Sequence, residues 1–118
     1  MKKIEIKSLA DFKKTIKVGM KIHTIWHQWK WTTGENGYCI FEEKVSESRE
    51  ISIIKSNQFA IKTPKSDGTF VDSWMLHPKA SECTIKDNSI TINYETTINA
   101  NTREKKIIPF MTYFLIAE

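Results

Sequence analysis

The chain has 118 residues, of which 40% are hydrophobic and 27% charged, a composition that suits one globular domain and excludes a disordered protein. Its longest apolar stretch, residues 107–116, is interrupted by Pro109 and Thr112, so we expect no membrane-spanning segment. The net charge of +4 is uneven, because residues 1–21 hold seven lysines against Glu5 and Asp11, whereas the remainder has eleven basic and twelve acidic residues.

The N-terminal segment and the cysteine content both indicate a cytoplasmic protein. Glu5 and Asp11 interrupt the apolar stretch that a signal peptide needs, so we expect no export. Cys39 and Cys83 do not form a disulfide framework, and in a cytosolic chain such residues are usually small buried hydrophobes. We therefore expect both thiols to be reduced.

The first predicted element is a short helix within residues 8–18. Ser8 precedes Asp11 by three residues, which is close to a capping box. Leu9, Phe12 and Ile16 then recur at helical spacing until Gly19 ends the pattern.

After Gly19, β-branched and aromatic residues alternate between turn signals such as Asn36-Gly37 and Asp87-Asn88. No stretch there sustains a helical period. The sequence therefore predicts a mainly β (α+β) protein, a small antiparallel β-barrel or sandwich with one N-terminal helix, forming a single domain over residues 1–118. The predicted strands span residues 21–31, 38–44, 50–55, 58–63, 70–76, 83–86, 89–95 and 106–116.

Alternation along these strands nominates the core. On the first strand both faces carry large apolar groups. Ile22 and Trp26 share one face, and His23, Ile25, His27, Trp29 and Trp31 share the other. Three explanations stay open: the helix covers one face, with His23 and Ile25 as its floor, the strand bulges, or one face stays outward. The residues predicted to be buried on the other strands are Ile51, Ile53, Phe59, Ile61, Phe70, Trp74, Leu76, Ile90, Ile92, Tyr94, Ile108 and Phe110.

The segment His23 to Tyr38 holds three of the four tryptophans, and two interpretations of it stay open. In the first, His27, Trp29, Lys30 and Trp31 form a partner-binding surface, because tryptophan is favoured at binding hot spots. In the second, Trp29 and Trp31 only pack against the neighbouring strand of the hairpin.

A related hypothesis is direct nucleic-acid binding, in which bases stack on the tryptophans and lysines attract phosphates. Sixteen lysines against two arginines weigh against base-specific recognition, which favours the arginine fork. The acids from Glu42 to Glu50 would oppose this hypothesis if they lay beside the tryptophans. The candidate nucleic-acid-binding residues are Lys13, Lys14, Lys17, Lys21 and Lys30.

Catalysis and metal binding have little support in the sequence. His23 and His27 would lie about 13 Å apart on a strand, which is too far to share one ion. Cys39 with His27 is the least implausible nucleophile pair, and Glu42 and Glu43 fall on opposite strand faces. We therefore predict neither an enzyme nor a metal site nor a cofactor.

The stretches "REISIIKSNQFAIKT" and "DSWMLHPKASECTI", within residues 49–85, resemble small accessory proteins of phages and prophages in low-GC Gram-positive bacteria. The strand order also resembles the Src-homology-type small barrels. The first resemblance implies a non-enzymatic protein that binds a host protein or nucleoprotein, including inhibitors of host defence nucleases, the anti-CRISPR class. It brings no catalytic residues.

Overall fold

A computed structural model describes residues 2–34, 37–76, 83–99 and 101–117, without the side chains of residues 33, 34, 37–40 and 76. The elements are β1 (Lys2–Lys3), α1 (Leu9–Thr15), β2 (Lys21–Gly34), β3 (Gly37–Ile54), β4 (Gln58–Pro64), β5 (Phe70–Leu76), β6 (Cys83–Lys86), β7 (Ser89–Asn99) and β8 (Glu104–Ala117). Among the described residues, no helix is long and apolar enough to cross a membrane.

Helix α1 forms where the capping pattern predicts it. Ser8 is the N-cap, and its Oγ accepts a 3.0 Å hydrogen bond from the backbone N–H of Asp11. The Asp11 carboxylate accepts a 3.0 Å bond from the N–H of Lys7. Gly19 follows with φ of 92°, a left-handed conformation that glycine adopts without steric cost.

The strands form one antiparallel sheet in the order β5-β4-β3-β2-β8-β7-β6, with β1 added alongside β8. The predicted mainly β class with one N-terminal helix is confirmed. Of the two predicted architectures, barrel or sandwich, the barrel is wrong, because β5 and β6 end the sheet and no pairing among the described residues joins them.

Strand β3 differs most from the prediction. The segments 38–44 and 50–55, predicted as two strands, are parts of one strand of 18 residues. Its first part pairs with β2, from Gly34↔Gly37 to Lys21↔Glu50, and its last part pairs with β4. A register shift between Ile51 and Ile53 marks the change of partner, as expected where a bulge bends a strand.

The core lies between α1, β4 and the centre of the sheet. The ring of Phe12 packs edge-on to Phe59 at 6.2 Å and stacks with Tyr113 at 6.5 Å, and Phe59 meets Tyr113 at 5.7 Å. These rings belong to the same buried cluster as Ile22 and Leu115. The helix therefore covers the face of β2 that carries Ile22, and the explanation that places His23 and Ile25 beneath it is wrong.

Alternation predicts five buried residues correctly, Ile51, Phe59, Ile61, Ile90 and Ile108, whereas Ile53 and Ile92 are only partly buried. It fails at the end strand β5, where Phe70 is 64% and Trp74 44% exposed. It also fails at Tyr94 and Phe110, which are exposed near the place where two strands separate. The predicted burial of Leu76 concerns a side chain outside the described residues.

Candidate functional site

Strands β2 and β8 pair over part of their length and then diverge. Their register runs from Lys21↔Ile116 to Trp26↔Met111, whereas β2 continues to Gly34 and β8 begins at Glu104. The β7–β8 register skips Phe110 between Met111 and Pro109, and a proline has no N–H to donate. The bulge and the proline explain why β8 leaves β2 at this point.

The divergence creates a cleft between two arms. We call residues 27–44 of β2 and β3 the first arm, and residues 93–110 of β7 and β8 the second arm. The cleft between them has a volume of about 410 Å³. Trp26, Trp31, Tyr94 and Phe110 line it, and each of these aromatic residues is between 41% and 47% exposed. Exposed aromatic groups concentrated in one concavity are typical of a binding site.

Trp29 ties the two arms together. Its indole Nε1–H donates a 2.8 Å hydrogen bond to the backbone carbonyl of Pro109. On the second arm, the rings of Tyr94 and Phe110 meet edge-on at 6.0 Å. Trp29 is thus partly buried and structural, whereas Trp31, on the same strand, is half exposed in the cleft.

His27, predicted to contact a partner, lies below the surface at 8% exposure. Its Nδ1 is 2.7 Å from Glu42 Oε2, and its Nε2 is 2.9 Å from Thr112 Oγ1. Because a carboxylate only accepts, Nδ1–H donates to Glu42. In a neutral imidazole Nε2 then accepts from the Thr112 hydroxyl, and the Thr91 hydroxyl lies 2.9 Å from that of Thr112. His27 lines the cleft with the small exposed part of its ring while its two nitrogens support the strands, and its contact with a partner stays a prediction.

The order carboxylate, imidazole, hydroxyl is also that of a nucleophilic triad. Thr112 is buried, however, so its hydroxyl is not open to a substrate. The series of hydrogen bonds from Glu42 to Thr91 instead connects β3, β2, β8 and β7. The described residues contain no group of three or more metal-ligating side chains. Burial raises the pKa of the Cys83 thiol, and the side chain of Cys39 is outside the described residues.

Three lysines of the arms pair with carboxylates on the same arm. Lys30 Nζ lies 3.6 Å from Glu43, Lys44 Nζ 3.4 Å from Glu42, and Lys105 Nζ 4.0 Å from Glu95. Glu42 is also directly opposite Trp29 in the β2–β3 register. Acidic groups thus lie beside the tryptophans. In the sequence analysis, this arrangement opposes the hypothesis of nucleic-acid binding.

Of the five lysines proposed for nucleic-acid binding, Lys30 lines the cleft with the tryptophans and pairs with Glu43, whereas the other four do not form one surface with them. Lys13, Lys14 and Lys17 are exposed on and just after α1, and Lys21 begins β2. Lys21 precedes Trp29 by eight residues of one strand, which corresponds to about 26 Å. The sequence pattern therefore combined groups from two ends of the sheet.

Sequence reasoning missed the residues that complete the cleft from the second arm, Pro109 and Phe110, and the bond between His27 and Thr112. Pro109 lies 80 residues from Trp29, and Thr112 lies 85 residues from His27. No local sequence pattern links residues so far apart. Glu42 could have been found from the sequence. When the two strands are paired outwards from the Asn36-Gly37 turn, Glu42 falls opposite Trp29 and near His27.

Comparison of the chain with protein-family models, curated proteins and solved structures finds no match. The resemblance to phage accessory proteins stays a prediction. The function is inferred from the cleft.

Proposed function

We propose that this chain is a non-enzymatic binding protein that presents the cleft between its two arms to a protein partner. The partner is a host protein or nucleoprotein. We further propose that the chain comes from a phage or mobile element and inhibits a host defence nuclease. This part of the proposal rests on the sequence resemblance. Trp31, Tyr94 and Phe110 make the contact, and His27 and Trp29 hold the arms in place.

The observation that carries the proposal is the combination of exposed aromatic groups and paired charges in the cleft. Trp31 and Phe110 offer large rigid apolar surfaces of the kind that dominate protein interfaces. Lys30, Lys44 and Lys105 have carboxylate partners, which reduces the positive charge that they offer to phosphates. A protein surface suits this cleft better than a polyanion.

Direct nucleic-acid binding remains the second candidate, on a different surface. Lys13, Lys14 and Lys17 are exposed within the segment of net charge +5, which favours attraction to a phosphate backbone. The half-exposed tryptophans of the cleft lie at the other end of β2, so this surface would act by charge without their stacking.

The test compares capture of partners from a host lysate by three proteins: the parent, the double variant Trp31→Ala/Phe110→Ala, and Phe70→Ala. Phe70 is also an exposed aromatic residue but belongs to the end strand β5. We expect the double variant to lose the captured protein at an unchanged melting temperature, and Phe70→Ala to retain it.

Nuclease treatment and salt separate the two candidates. Capture through the cleft should survive nuclease and change little between low and moderate salt. Loss of capture with nuclease, a steep decrease with salt, or full capture by the double variant would each contradict the proposal.

A further inference from the structure

We propose that the protein forms a symmetric dimer in which the end strand β5 pairs antiparallel with β5 of a second copy. The two sheets then join edge to edge. This interface lies at the far end of the sheet from β7 and β8 and does not use the cleft, so it goes beyond the proposed function.

Among the described residues, β5 is paired on one side only. Its register with β4 runs from Gln58↔Leu76 to Pro64↔Phe70 without a shift, and β5 ends the strand order of the sheet. The outer side of such a strand presents a row of backbone N–H and C=O groups, which can pair with a strand of another chain.

The sequence of β5 lacks the lysines, prolines and bulges that usually prevent edge-to-edge association. It is a regular strand of seven residues. The strand at the other end of the sheet, β6, has only four residues and ends with Lys86. Association is therefore opposed at β6 and not at β5.

The exposed side chains of β5 are apolar on both of its faces. Phe70 and Trp74 lie on one face and Val71 on the other, and each is at least 44% exposed. Single exposed apolar residues are common on protein surfaces, whereas several on one edge mark an interface. Pairing with a second copy removes part of this apolar surface from water.

The sequence of β5 is complementary to itself about Ser73. When two copies run antiparallel with Ser73 opposite Ser73, Val71 falls opposite Met75, and Asp72 falls opposite Trp74. The small serine side chain lets the two backbones approach at the symmetry axis. The exposed valine of each copy meets the partly buried methionine of the other.

The same register brings opposite charges together. Asp72 is the charged residue of β5, and it faces Trp74 of the second copy, whose ring lies 5.0 Å from Lys55 Nζ. Asp72 Oδ1 accepts a 2.8 Å hydrogen bond from Ser52 in its own copy, and a carboxylate has a second oxygen for the lysine. The two Asp72 residues are staggered rather than directly opposite, so the register avoids the like-charge pair that destabilises a sheet.

Symmetry limits the assembly to two copies. Both copies use the same edge, so no β5 edge is left for a third copy. Pairing of β5 with β6 would instead leave an open edge at each end and produce filaments. The short length of β6 and its Lys86 oppose that arrangement.

Sedimentation of the intact protein over concentrations from about 1 μM to about 1 mM tests the association. The chain has a mass of 13.8 kDa, and we expect the average mass to rise towards twice this value with concentration. Val71→Lys should weaken the dimer about tenfold or more, because it places a charge on the paired edge. Val18→Lys makes the same change at an exposed valine between α1 and β2, and it should associate like the parent.

Cysteine cross-linking tests the register. Ser73→Cys places a thiol opposite its own copy, where Cα atoms about 4.5–5.5 Å apart lie within disulfide reach. In Val71→Cys the two new thiols are staggered by four residues, about 13 Å along the strand, which is too far. Under mild oxidation we expect a reducible dimer band for Ser73→Cys and none for Val71→Cys or the parent.

Three outcomes would overturn the symmetric dimer: a mass of 13.8 kDa at every concentration, species that grow beyond two copies, or equal association of Val71→Lys and Val18→Lys. Cross-linking of Val71→Cys as readily as Ser73→Cys would overturn the register about Ser73. Circular dichroism at the lowest concentration checks that each variant keeps the fold of the parent, and the two cysteine variants decide the case if Val71→Lys does not.

Discussion

Trp29 and Pro109 are joined by a 2.8 Å hydrogen bond between the indole N–H and the backbone carbonyl, at a level where their strands share no backbone pairing. This bond is a polar contact between the two arms across the cleft. Replacing Trp29 by phenylalanine keeps an aromatic ring and removes the donor, which leaves a partly buried carbonyl without its partner. We expect a loss of about 1 kcal/mol in the free energy of unfolding, measured by denaturant titration.

Trp26→Phe is the matched control for this change. Trp26 lies on the same strand and is 47% exposed, so its replacement should alter stability by no more than about 0.5 kcal/mol. Equal effects of the two substitutions would show that the bond to Pro109 contributes nothing.

Thr112 is the central link between His27 and Thr91. Thr112→Val keeps the shape of the side chain but leaves the buried Nε2 of His27 without its hydrogen-bond partner. We expect a cost of about 1–3 kcal/mol in a thermal or denaturant unfolding experiment. Thr112→Ser retains the hydroxyl and should cost less than Thr112→Val, and the reverse order would contradict the assigned hydrogen bonds.

His23 is placed to titrate below its ordinary range. Partial burial first, and then the positive charge of Lys3, lower the pKa of its imidazole. The folded state then binds fewer protons than the unfolded state, so the stability that His23 contributes is complete above about pH 6.5 and decreases as the pH falls below it. We expect Lys3→Gln to raise the pKa of His23 in an NMR titration and to make stability less dependent on pH in this range.

Lys14→Gln removes the same charge from the exposed face of α1 and serves as the control. It should leave the pKa of His23 where it is in the parent. A His23 titration that shifts equally in both variants would indicate a general effect of net charge.

Phe59 and Trp74 contrast a buried with an exposed aromatic residue on adjacent strands. Phe59 is fully buried against Phe12 and Tyr113, so Phe59→Ala should cost about 3–5 kcal/mol. Trp74 is 44% exposed and its ring lies under Lys55 Nζ at 5.0 Å, so Trp74→Ala should cost about 1 kcal/mol or less. Similar melting temperatures for the two variants would contradict this placement of the core.

Local signals predicted the elements whose causes are local. Ser8 and Asp11 cap α1 through their own side chains. Asp87 and Asn88 have φ of 52° and 61°, the positive values that a tight hairpin turn needs, and the predicted pairing of β6 with β7 is formed around them. These contacts join residues close in sequence, so residue type alone indicates them.

The errors arise where the outcome depends on distant elements. Alternation shows that Phe70 and Trp74 share a face of β5, but it does not show that α1 and its Phe12 cover the centre of the sheet and leave that end exposed. The polar run around Glu47 predicts a break between the strands at 38–44 and 50–55. It remains in β3 because β2 pairs with it, Thr24 lying opposite Glu47.

The sequence predicts only the wall of the cleft that comes from the first arm. Trp31 belongs to the cleft, as the clustering of aromatic residues suggested, and its role in binding stays a prediction. The other wall comes from β7 and β8, whose position follows from long-range pairing such as Trp26↔Met111. No spacing within the first hairpin contains that information.

The position of β8 has a consequence for how the chain folds. β8 is the last strand in the sequence, yet it lies between β2 and β7 and also carries β1. Until residues 104–117 have left the ribosome, the nascent chain has no partner for the inner edge of β2 and no seat for Phe12 on Tyr113. Contacts of such high contact order form slowly, on a scale of about milliseconds to seconds, so the two halves of the sheet are expected to join only after synthesis of β8.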